Sequence, residues 1–274
     1  YYPYIYKYSI SGNLTISKYP SIQSGHVSEK IDAELIDLPD SIYLTDILIL
    51  NGHPPCCGNN EGRQENFDAL IEFIHDAKTI GGVIDLPFNT PISFSGDMNL
   101  VGYSEQYYTI LNGTISDTVT FGVGGFPDWD NTPLEDQVCY FNEKDIAYTW
   151  NKLSPNIGDF PPGRLDFVFY SNSVMGVDKS YIISTKDMSP SLLSQNNLYL
   201  NDSEASDHLP LIVDFVLPNV TQTGLEDYKS DKDIIQIIDF LGRDTKQKNN
   251  VPLFYFYDDG SVEKKIILKW KTLF

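Results

Sequence analysis

Short apolar runs recur along the chain, and most have the length of a β-strand. The dense apolar runs that are typical of buried strands lie at residues 44–53, 90–95, 165–170 and 211–216. Between the first two runs, residues 60–78 instead show the spacing of one helical face. That face consists of Phe67, Leu70, Ile71, Ile74 and Ala77. Gly81-Gly82 ends the predicted helix.

Strands that alternate with at least one helix predict an α/β fold, in which two packed sheets are flanked by helices. Residues 101–162 interrupt this alternation with a long, loop-rich insert that contains many Gly, Pro and Asp residues. Connections of that length are uncommon in compact domains unless they are functional. We therefore expect the insert to form one side of a substrate cleft.

Polar residues follow or precede these predicted strands, and several could perform acid–base or metal chemistry. They are His53, the segment Gly96-Asp97-Met98-Asn99, Asp166, and the segment Ser206-Asp207-His208-Leu209-Pro210. Each motif alone is usually a solvated turn. Their joint occurrence at strand ends favours one catalytic site instead. Asp207 and His208 are adjacent, so both could reach one bound phosphate, the carboxylate through a divalent metal.

These motifs, in this order, resemble the endonuclease/exonuclease/phosphatase superfamily over residues 11–217. The segment Ile16-Ser17-Lys18-Tyr19-Pro20 is similar to a Ser-Arg-Tyr-Pro segment of that family. The resemblance implies a DNase I-like two-sheet β-sandwich flanked by helices. An early Asn and a Gln-Glu pair, which supplies a metal-ligand Glu in the family, have no counterpart before Ser11. We therefore expect the domain at residues 1–218 to lack its first strands and that ligand.

The resemblance also implies a role for each site residue in the hydrolysis of a phosphate ester. Asp97 would orient or deprotonate the attacking water, and Asn99 would donate to a phosphate oxygen. Asp207 would bind Mg²⁺ or Mn²⁺, which prefer hard oxygen ligands. His208 would hydrogen-bond the pentacovalent phosphorus centre, and Asp166 would orient the imidazole and favour its protonated form.

His53 resembles a second His found in the DNase and sphingomyelinase branches, where it contacts phosphate or protonates the leaving oxygen. A single His at a strand end can equally be structural. With a formal charge of −19, the chain is poorly suited to a basic groove for long nucleic acids. Nucleic acid, a lipid head group and a small phosphodiester all remain possible substrates. The alternative function is a catalytically inactive binding or surface protein that retains the fold.

The C-terminal part has a different composition. Residues 219–232 read as a polar linker, and two strand-like runs around Asp258-Asp259-Gly260 predict a β-hairpin. Residues 233–274 are predicted to form a small all-β sandwich domain that resembles the C-terminal sorting domain of type IX secretion in Bacteroidetes. This resemblance implies a protein that is secreted or displayed on the cell surface by the type IX machinery. The other interpretation is a β-subdomain packed on the enzyme. No run approaches the roughly 18 apolar residues of a transmembrane segment.

Three cysteines and one acidic segment carry further expectations. In an exported protein Cys139 could form a disulfide with Cys56 or Cys57, whereas a zinc site using His53 and both neighbouring cysteines is disfavoured by their spacing. A structural Ca²⁺ site is possible at Asp128-Trp129-Asp130 with Glu135-Asp136, although hydrated acidic turns are commoner.

Overall fold

The structure is a computed structural model that describes residues 2–102, 104–152, 160–220, 234–239, 243–246, 248, 251–257 and 262–266. The chain divides into two compact units, Tyr1–Gln222 and Thr223–Phe274. No helix within the described ranges is long and apolar enough to cross a membrane.

The first unit combines a mixed sheet with helices. Its strands, in chain order, are β1 (Tyr4–Lys7), β2 (Leu14–Ser17), β3 (Ser21–Ser28), β4 (Ile31–Ile36), β5 (Ile47–Gly52), β6 (Ile92–Asp97), β7 (Glu135–Asp136), β8 (Asp166–Tyr170), β9 (Gly176–Ile182) and β10 (Leu211–Val216). Its α-helices are α1 (Asn60–Ala77), α2 (Ser104–Asn112) and α3 (Pro190–Gln195), and two short 3₁₀ helices lie at Thr185–Asp187 and Asp202–Ala205.

Six strands form the main sheet, in the order β3-β4-β5-β6-β8-β7. Strands β5 and β6 are parallel, with α1 between them in the chain, and the other neighbours are antiparallel. Alternation along β5 sends Leu48 and Leu50 towards one face of the sheet and Ile47 and Ile49 towards the other. The first face packs against apolar residues of α1 such as Phe67.

The other face of the main sheet is covered by strands outside it. Ile47 and Tyr170 belong to an apolar cluster with Tyr6 of β1, Val177 of β9 and Phe215 of β10. Strands β9 and β10 pair with each other in an antiparallel two-stranded sheet, and β1 and β2 form a hairpin. Helices on one face and further strands on the other confirm the predicted α/β fold class.

The helix and strands predicted from the sequence are present in the structure, and their ends differ from the predicted bounds by a few residues. The helix ends at Ala77, one residue before the predicted bound, and its start at Asn60 is capped by the side chain of Asn59. The run at 211–216 coincides with β10. The insert at 101–162 is less irregular than predicted, because it contains α2 and the short edge strand β7. Thr109 and Ile110 are buried where α2 packs against α1.

The second unit contains strands β11 (Ile234–Ile238), β12 (Pro252–Tyr257) and β13 (Val262–Ile266). They form an antiparallel sheet in the order β11-β12-β13, and Leu253 and Tyr255 of the central strand are buried. The pairing of β12 with β13 is the predicted hairpin, whereas its Asp258-Asp259-Gly260 turn lies outside the described residues. Most of the predicted linker, residues 221–232, also lies outside them.

Candidate active site

The candidate site lies where β5, β6 and β8 end or begin at one edge of the main sheet. In the antiparallel pairing of β6 with β8, Asp97 lies opposite Asp166. His53 follows β5, and His208 comes three residues before β10. The chain thus brings together four of the predicted residues that are far apart in sequence.

The backbone beside Asp97 requires a glycine. Gly96 has a φ of +141° and is paired with Gly52 on the neighbouring strand. A Cβ atom at Gly96 would lie 1.9 Å from the carbonyl oxygen of Gly52, far inside any normal contact. Glycine at position 96 therefore allows β6 to approach β5 closely. The next residue, Asp97, carries the carboxylate of the site.

His208 is held by Asp166. Its Nδ1 atom lies 2.8 Å from Oδ2 of Asp166, and the side chains of His208 and Asp166 are only 31% and 19% exposed. The hydrogen bond with Asp166 raises the pKa of His208 above its ordinary value, against an opposing effect of burial. The pairing favours the imidazolium form and orients the ring.

Asp97 faces both imidazoles. Its Oδ2 atom lies 3.4 Å from Nε2 of His53 and 3.7 Å from Nε2 of His208. Burial, with a further contribution from the charge of Asp166, raises the pKa of the Asp97 carboxyl, although the Asn99 backbone N–H and the two histidines oppose the shift. The result is a carboxylate of increased basicity between two potential cations, which suits a general base.

Asn99 makes two hydrogen bonds within the protein. The residue is buried, and its Nδ2 atom donates to the carbonyl oxygen of Pro54 at 2.9 Å. Its backbone N–H donates to Oδ1 of Asp97 at 3.0 Å, and its φ of 49° belongs to the left-handed region that Asn tolerates. Asn99 therefore anchors the segment after His53 and orients Asp97.

Asp207 precedes His208, but its hydrogen-bond partner lies outside this cluster. Its Oδ2 atom accepts a hydrogen bond from Nε1 of Trp150 at 3.0 Å. Trp150 also pairs with His208 in an isolated β-bridge. The C-terminal end of the insert therefore contacts the segment that carries His208. A cavity of about 120 Å³ lies beside Asp207 and is lined in part by Lys186 and Ser203.

The sequence offered no signal for Thr149, which positions Asp166. The Thr149 hydroxyl oxygen is buried and accepts hydrogen bonds from the backbone N–H groups of Leu165 and Asp166, at 3.0 and 2.9 Å. Its own carbonyl oxygen accepts from the N–H of Leu209 at 2.7 Å. One Thr thus links the start of β8 to the segment that carries His208. A single Thr in a long insert has no distinguishing pattern.

The predicted metal site has less support than the acid–base cluster. Among the residues that the structure describes, no group of three or more His, Cys, Asp or Glu side chains is arranged to hold a metal ion. Asp207 is one carboxylate and is bonded to Trp150, whereas Mg²⁺ and Mn²⁺ require several oxygen ligands. The described residues therefore do not fit a complete divalent site by themselves.

The expected calcium site does not form either, because its carboxylates are bonded to protein donors. Asp128 accepts from the backbone N–H of Ser173 at 3.0 Å and from its hydroxyl. Asp136 forms a two-point ion pair with Arg164, with N–O distances of 2.8 and 2.5 Å. These contacts use the oxygens that Ca²⁺ would need.

The three cysteines are free, so the predicted disulfide is absent. Cys139 is buried beside Phe141 and Ile182, while Cys56 and Cys57 are exposed in the segment before α1. Burial of Cys139 within an apolar cluster on another part of the unit explains why the bridge does not form.

Comparisons with known proteins give the following matches. No family model and no curated protein matches the chain. Among solved structures, the chain matches the catalytic domain of human Nocturnin with bound sulfate at 16% identity, covering 74% of this chain and 63% of that one, with a TM-score of 0.42. The chain also matches D. rerio TDP2 complexed with a single-stranded DNA product at 14% identity, covering 68% of this chain and 61% of that one, with a TM-score of 0.37. It matches a double mutant of Staphylococcus aureus beta toxin with bound magnesium ions at 16% identity, covering 74% of this chain and 67% of that one, with a TM-score of 0.41.

The chain thus spans 61% and 63% of the length of the TDP2 and Nocturnin structures. At these identities and TM-scores, the matches say nothing about individual residues or activity.

Proposed function

We propose that this chain is the catalytic part of an enzyme that hydrolyses phosphate esters, using Asp97 as general base and His208 as a phosphate-binding cation. The observation that carries the proposal is the arrangement of His208 between two carboxylates, with Nδ1 bonded to Asp166 at 2.8 Å and Nε2 directed towards Asp97 at 3.7 Å.

The protonated imidazole suits an anionic substrate. Because Asp166 favours the charged ring, Nε2–H is a strong donor for a phosphate oxygen, and hydrogen bonds between charged partners are about twice as strong as neutral ones. The 3.7 Å gap to Asp97 is longer than a hydrogen bond. The Nε2 proton therefore remains available to a bound phosphate.

Asp97 would then accept a proton from the attacking water. Its raised pKa makes it a better proton acceptor than an ordinary aspartate. The water attacks phosphorus, the ester P–O bond breaks, and the departing oxygen requires a proton. His53 is 61% exposed and 3.4 Å from Asp97, so it can reach a bound substrate and is the proposed donor to that oxygen.

The requirement for Mg²⁺ or Mn²⁺, with Asp207 as a ligand, comes from the sequence resemblance alone. No step above depends on it. Secretion through the type IX machinery, with residues 233–274 as the sorting domain, is likewise proposed from the resemblance of the C-terminal segment. Neither proposal changes the roles of the acid–base cluster.

The test is hydrolysis of bis-p-nitrophenyl phosphate with Mg²⁺, with Mn²⁺ and with excess chelator. We expect His208→Ala to lose about 10²-fold or more in rate, the usual effect of removing a positioned acid–base or electrostatic group. The matched control is His26→Gln. His26 lies on β3, three strands from β6 in the sheet, and pairs with Asp32 at 2.8 Å.

An unchanged rate in His208→Ala would remove this residue from the mechanism. Full activity in chelator would contradict the metal requirement but leave the acid–base roles intact. If the wild-type chain bound phosphate yet hydrolysed no ester under any of these conditions, the inactive binding protein would be the better interpretation.

A further inference from the structure

Two adjacent thiols lie beside the candidate site without a role in the proposed hydrolysis. Cys56 and Cys57 are free and exposed, and they are adjacent in the segment between His53 and α1. The same segment is linked to the catalytic carboxylate, because the carbonyl oxygen of Pro54 accepts from Asn99 at 2.9 Å and the backbone N–H of Asn99 donates to Asp97 at 3.0 Å. The third cysteine, Cys139, is buried elsewhere in the unit.

We propose that Cys56 and Cys57 form a redox-modification site, at which a low-molecular-weight disulfide such as oxidised glutathione closes a bond between the two neighbouring sulfurs. Closure of the ring lowers the activity of the adjacent site. This second statement rests on the proposed function, whereas the modification itself does not.

The reaction proceeds by two thiol–disulfide exchanges. One cysteine thiolate attacks a sulfur of the small disulfide, forms a mixed disulfide and releases one thiolate. The neighbouring cysteine then attacks the protein sulfur of that mixed disulfide and displaces the second small thiolate. The two cysteines together lose two protons and two electrons, and the small disulfide is reduced to two thiols.

A bond between adjacent cysteines is strained and therefore readily reversed. Consecutive Cα atoms are about 3.8 Å apart across a trans peptide, whereas ordinary disulfides span about 4.4–6.8 Å. Strained disulfides are more easily reduced, and exposed ones are the labile or regulatory kind. Cys57 already has a φ of +63°, an uncommon conformation for a residue with a side chain. The geometry thus favours a reversible switch over a permanent structural bridge.

Closure of the disulfide ring would disturb the candidate site, because the backbone segment before Cys56 also contacts residues of that site. The carbonyl oxygen of Pro54 accepts from Asn99, which in turn orients Asp97. The next carbonyl oxygen, that of Pro55, accepts from Nη1 of Arg63 at 2.7 Å. Closing an eight-membered ring at the following two residues requires new backbone dihedrals there, and the two carbonyl groups lie immediately before the ring. Movement of the Pro54 carbonyl would misalign Asp97.

The test follows the thiols and the activity separately. The full chain is equilibrated in glutathione buffers of increasing oxidised fraction, quenched with a maleimide and analysed by peptide mass. We expect Cys56 and Cys57 to lose their labels together, with the loss of two hydrogens and no retained glutathione. Hydrolysis of bis-p-nitrophenyl phosphate should fall several-fold over the same range and recover with dithiothreitol.

Two variants complete the design. Before oxidation, Cys57→Ser should hydrolyse the ester at the same rate as the wild type. After oxidation, it should retain one glutathione on Cys56 instead of forming the ring. Cys139→Ser is the matched control, and it should oxidise like the wild type because that buried thiol takes no part. Oxidation should also become faster as pH rises, because the thiolate is the attacking form and the neighbouring Cys57 thiol raises the pKa of the Cys56 thiol.

Separate glutathione adducts on Cys56 and Cys57 in the wild type would overturn the modification site. Ring closure with an unchanged rate would overturn the coupling to the site. If the chain proved inactive under all conditions, the proposed function would fail, but the mass measurement would still decide whether the disulfide forms.

Discussion

Replacement of Asp166 by Asn should weaken the proposed reaction without removing any group that touches the substrate. The substitution keeps the shape of the side chain and an oxygen that can accept from Nδ1 of His208, now 2.8 Å from the carboxylate. Only the negative charge is lost. We expect the pKa of His208 to fall, because the hydrogen bond and charge of Asp166 are what raise it.

The size of the effect follows from the kind of hydrogen bond. A bond to a charged group contributes about 1.5–3 kcal/mol, compared with about 0.5–1.5 kcal/mol for a neutral one. The difference of roughly 1–1.5 kcal/mol corresponds to a decrease in kcat/KM of about 5- to 13-fold. Because the side chain of His208 is 31% exposed, solvent screens part of the charge, and we expect the lower half of that range.

The assay combines an NMR titration of the histidine ring protons with the pH dependence of ester hydrolysis. In Asp166→Asn the activity should begin to fall at a lower pH than in the wild type as pH rises, since the imidazolium form is lost earlier. The matched control is Asp214→Asn, which removes the same charge from an exposed position on β10. An unchanged His208 titration in Asp166→Asn would refute the reasoning, whatever the rate.

The same pair predicts a pH dependence of stability. A histidine whose pKa is raised in the folded state stabilises the fold fully below its unfolded value near 6.5. That contribution is lost as pH rises through the higher folded-state pKa. Urea unfolding should therefore show a larger difference between wild type and Asp166→Asn below pH 6.5 than in alkaline solution. If the two proteins differed by the same free energy of unfolding below pH 6.5 and in alkaline solution, this prediction would be wrong.

Three further substitutions test the site. Asp97→Asn should reduce the rate of ester hydrolysis by about 10²-fold or more while the fold is retained, because the general base is removed; a rate near that of the wild type would exclude this role. Thr149→Val should lower the free energy of unfolding in urea by roughly 1–3 kcal/mol, since two partly buried N–H groups lose their acceptor. Gly96→Ala should cost roughly 2–5 kcal/mol by overpacking and backbone strain, with Gly58→Ala as the control because its Cβ would meet nothing within 4 Å. Equal effects of the two alanines would contradict the close approach to Gly52.

The elements predicted from the sequence are those whose apolar residues are buried on a regular period. The helix α1 and the strands β5, β6, β8 and β10 follow from their apolar spacing, and four site residues follow because they are placed at the ends of these strands. His53, Asp97 and Asp166 are brought together because β5, β6 and β8 are neighbours in one sheet and their ends lie side by side. His208 joins them from the segment before β10, which belongs to a second sheet. This part of the site could be predicted without knowledge of the side-chain contacts.

Strand β4 shows why other elements were missed. Its sequence, Ile31–Ile36, alternates apolar and acidic residues and is typical of a half-exposed strand, yet all six residues are buried. Asp32 accepts from Asn13 at 2.9 Å and pairs with His26, and Glu34 accepts from the hydroxyl of Tyr8. Partners from β3 and from the segment around β1 and β2 allow the charges to be buried. Those contacts are long-range and leave no local pattern.

For two predicted site residues, the structure shows contacts that depend on side-chain direction. Asn99 and Asp207 occupy the expected positions along the chain, but one amide donates to the carbonyl oxygen of Pro54 and one carboxylate accepts from Trp150. A motif specifies where a residue lies along the backbone. The direction of its side chain is decided by neighbours that the motif does not include.

The arrangement of charges at the site links substrate binding to basicity. Asp97 and Asp166 lie directly opposite each other on antiparallel strands, where like charges destabilise the pair. One imidazolium ring contacts both, since His208 is bonded to Asp166 and faces Asp97. A phosphate that accepts the Nε2 proton would draw this positive charge towards itself. The positive charge of His208 lowers the pKa of Asp97, so this effect would weaken when the phosphate binds. The pKa of Asp97 would then rise further, and Asp97 would be a stronger base when the substrate is bound.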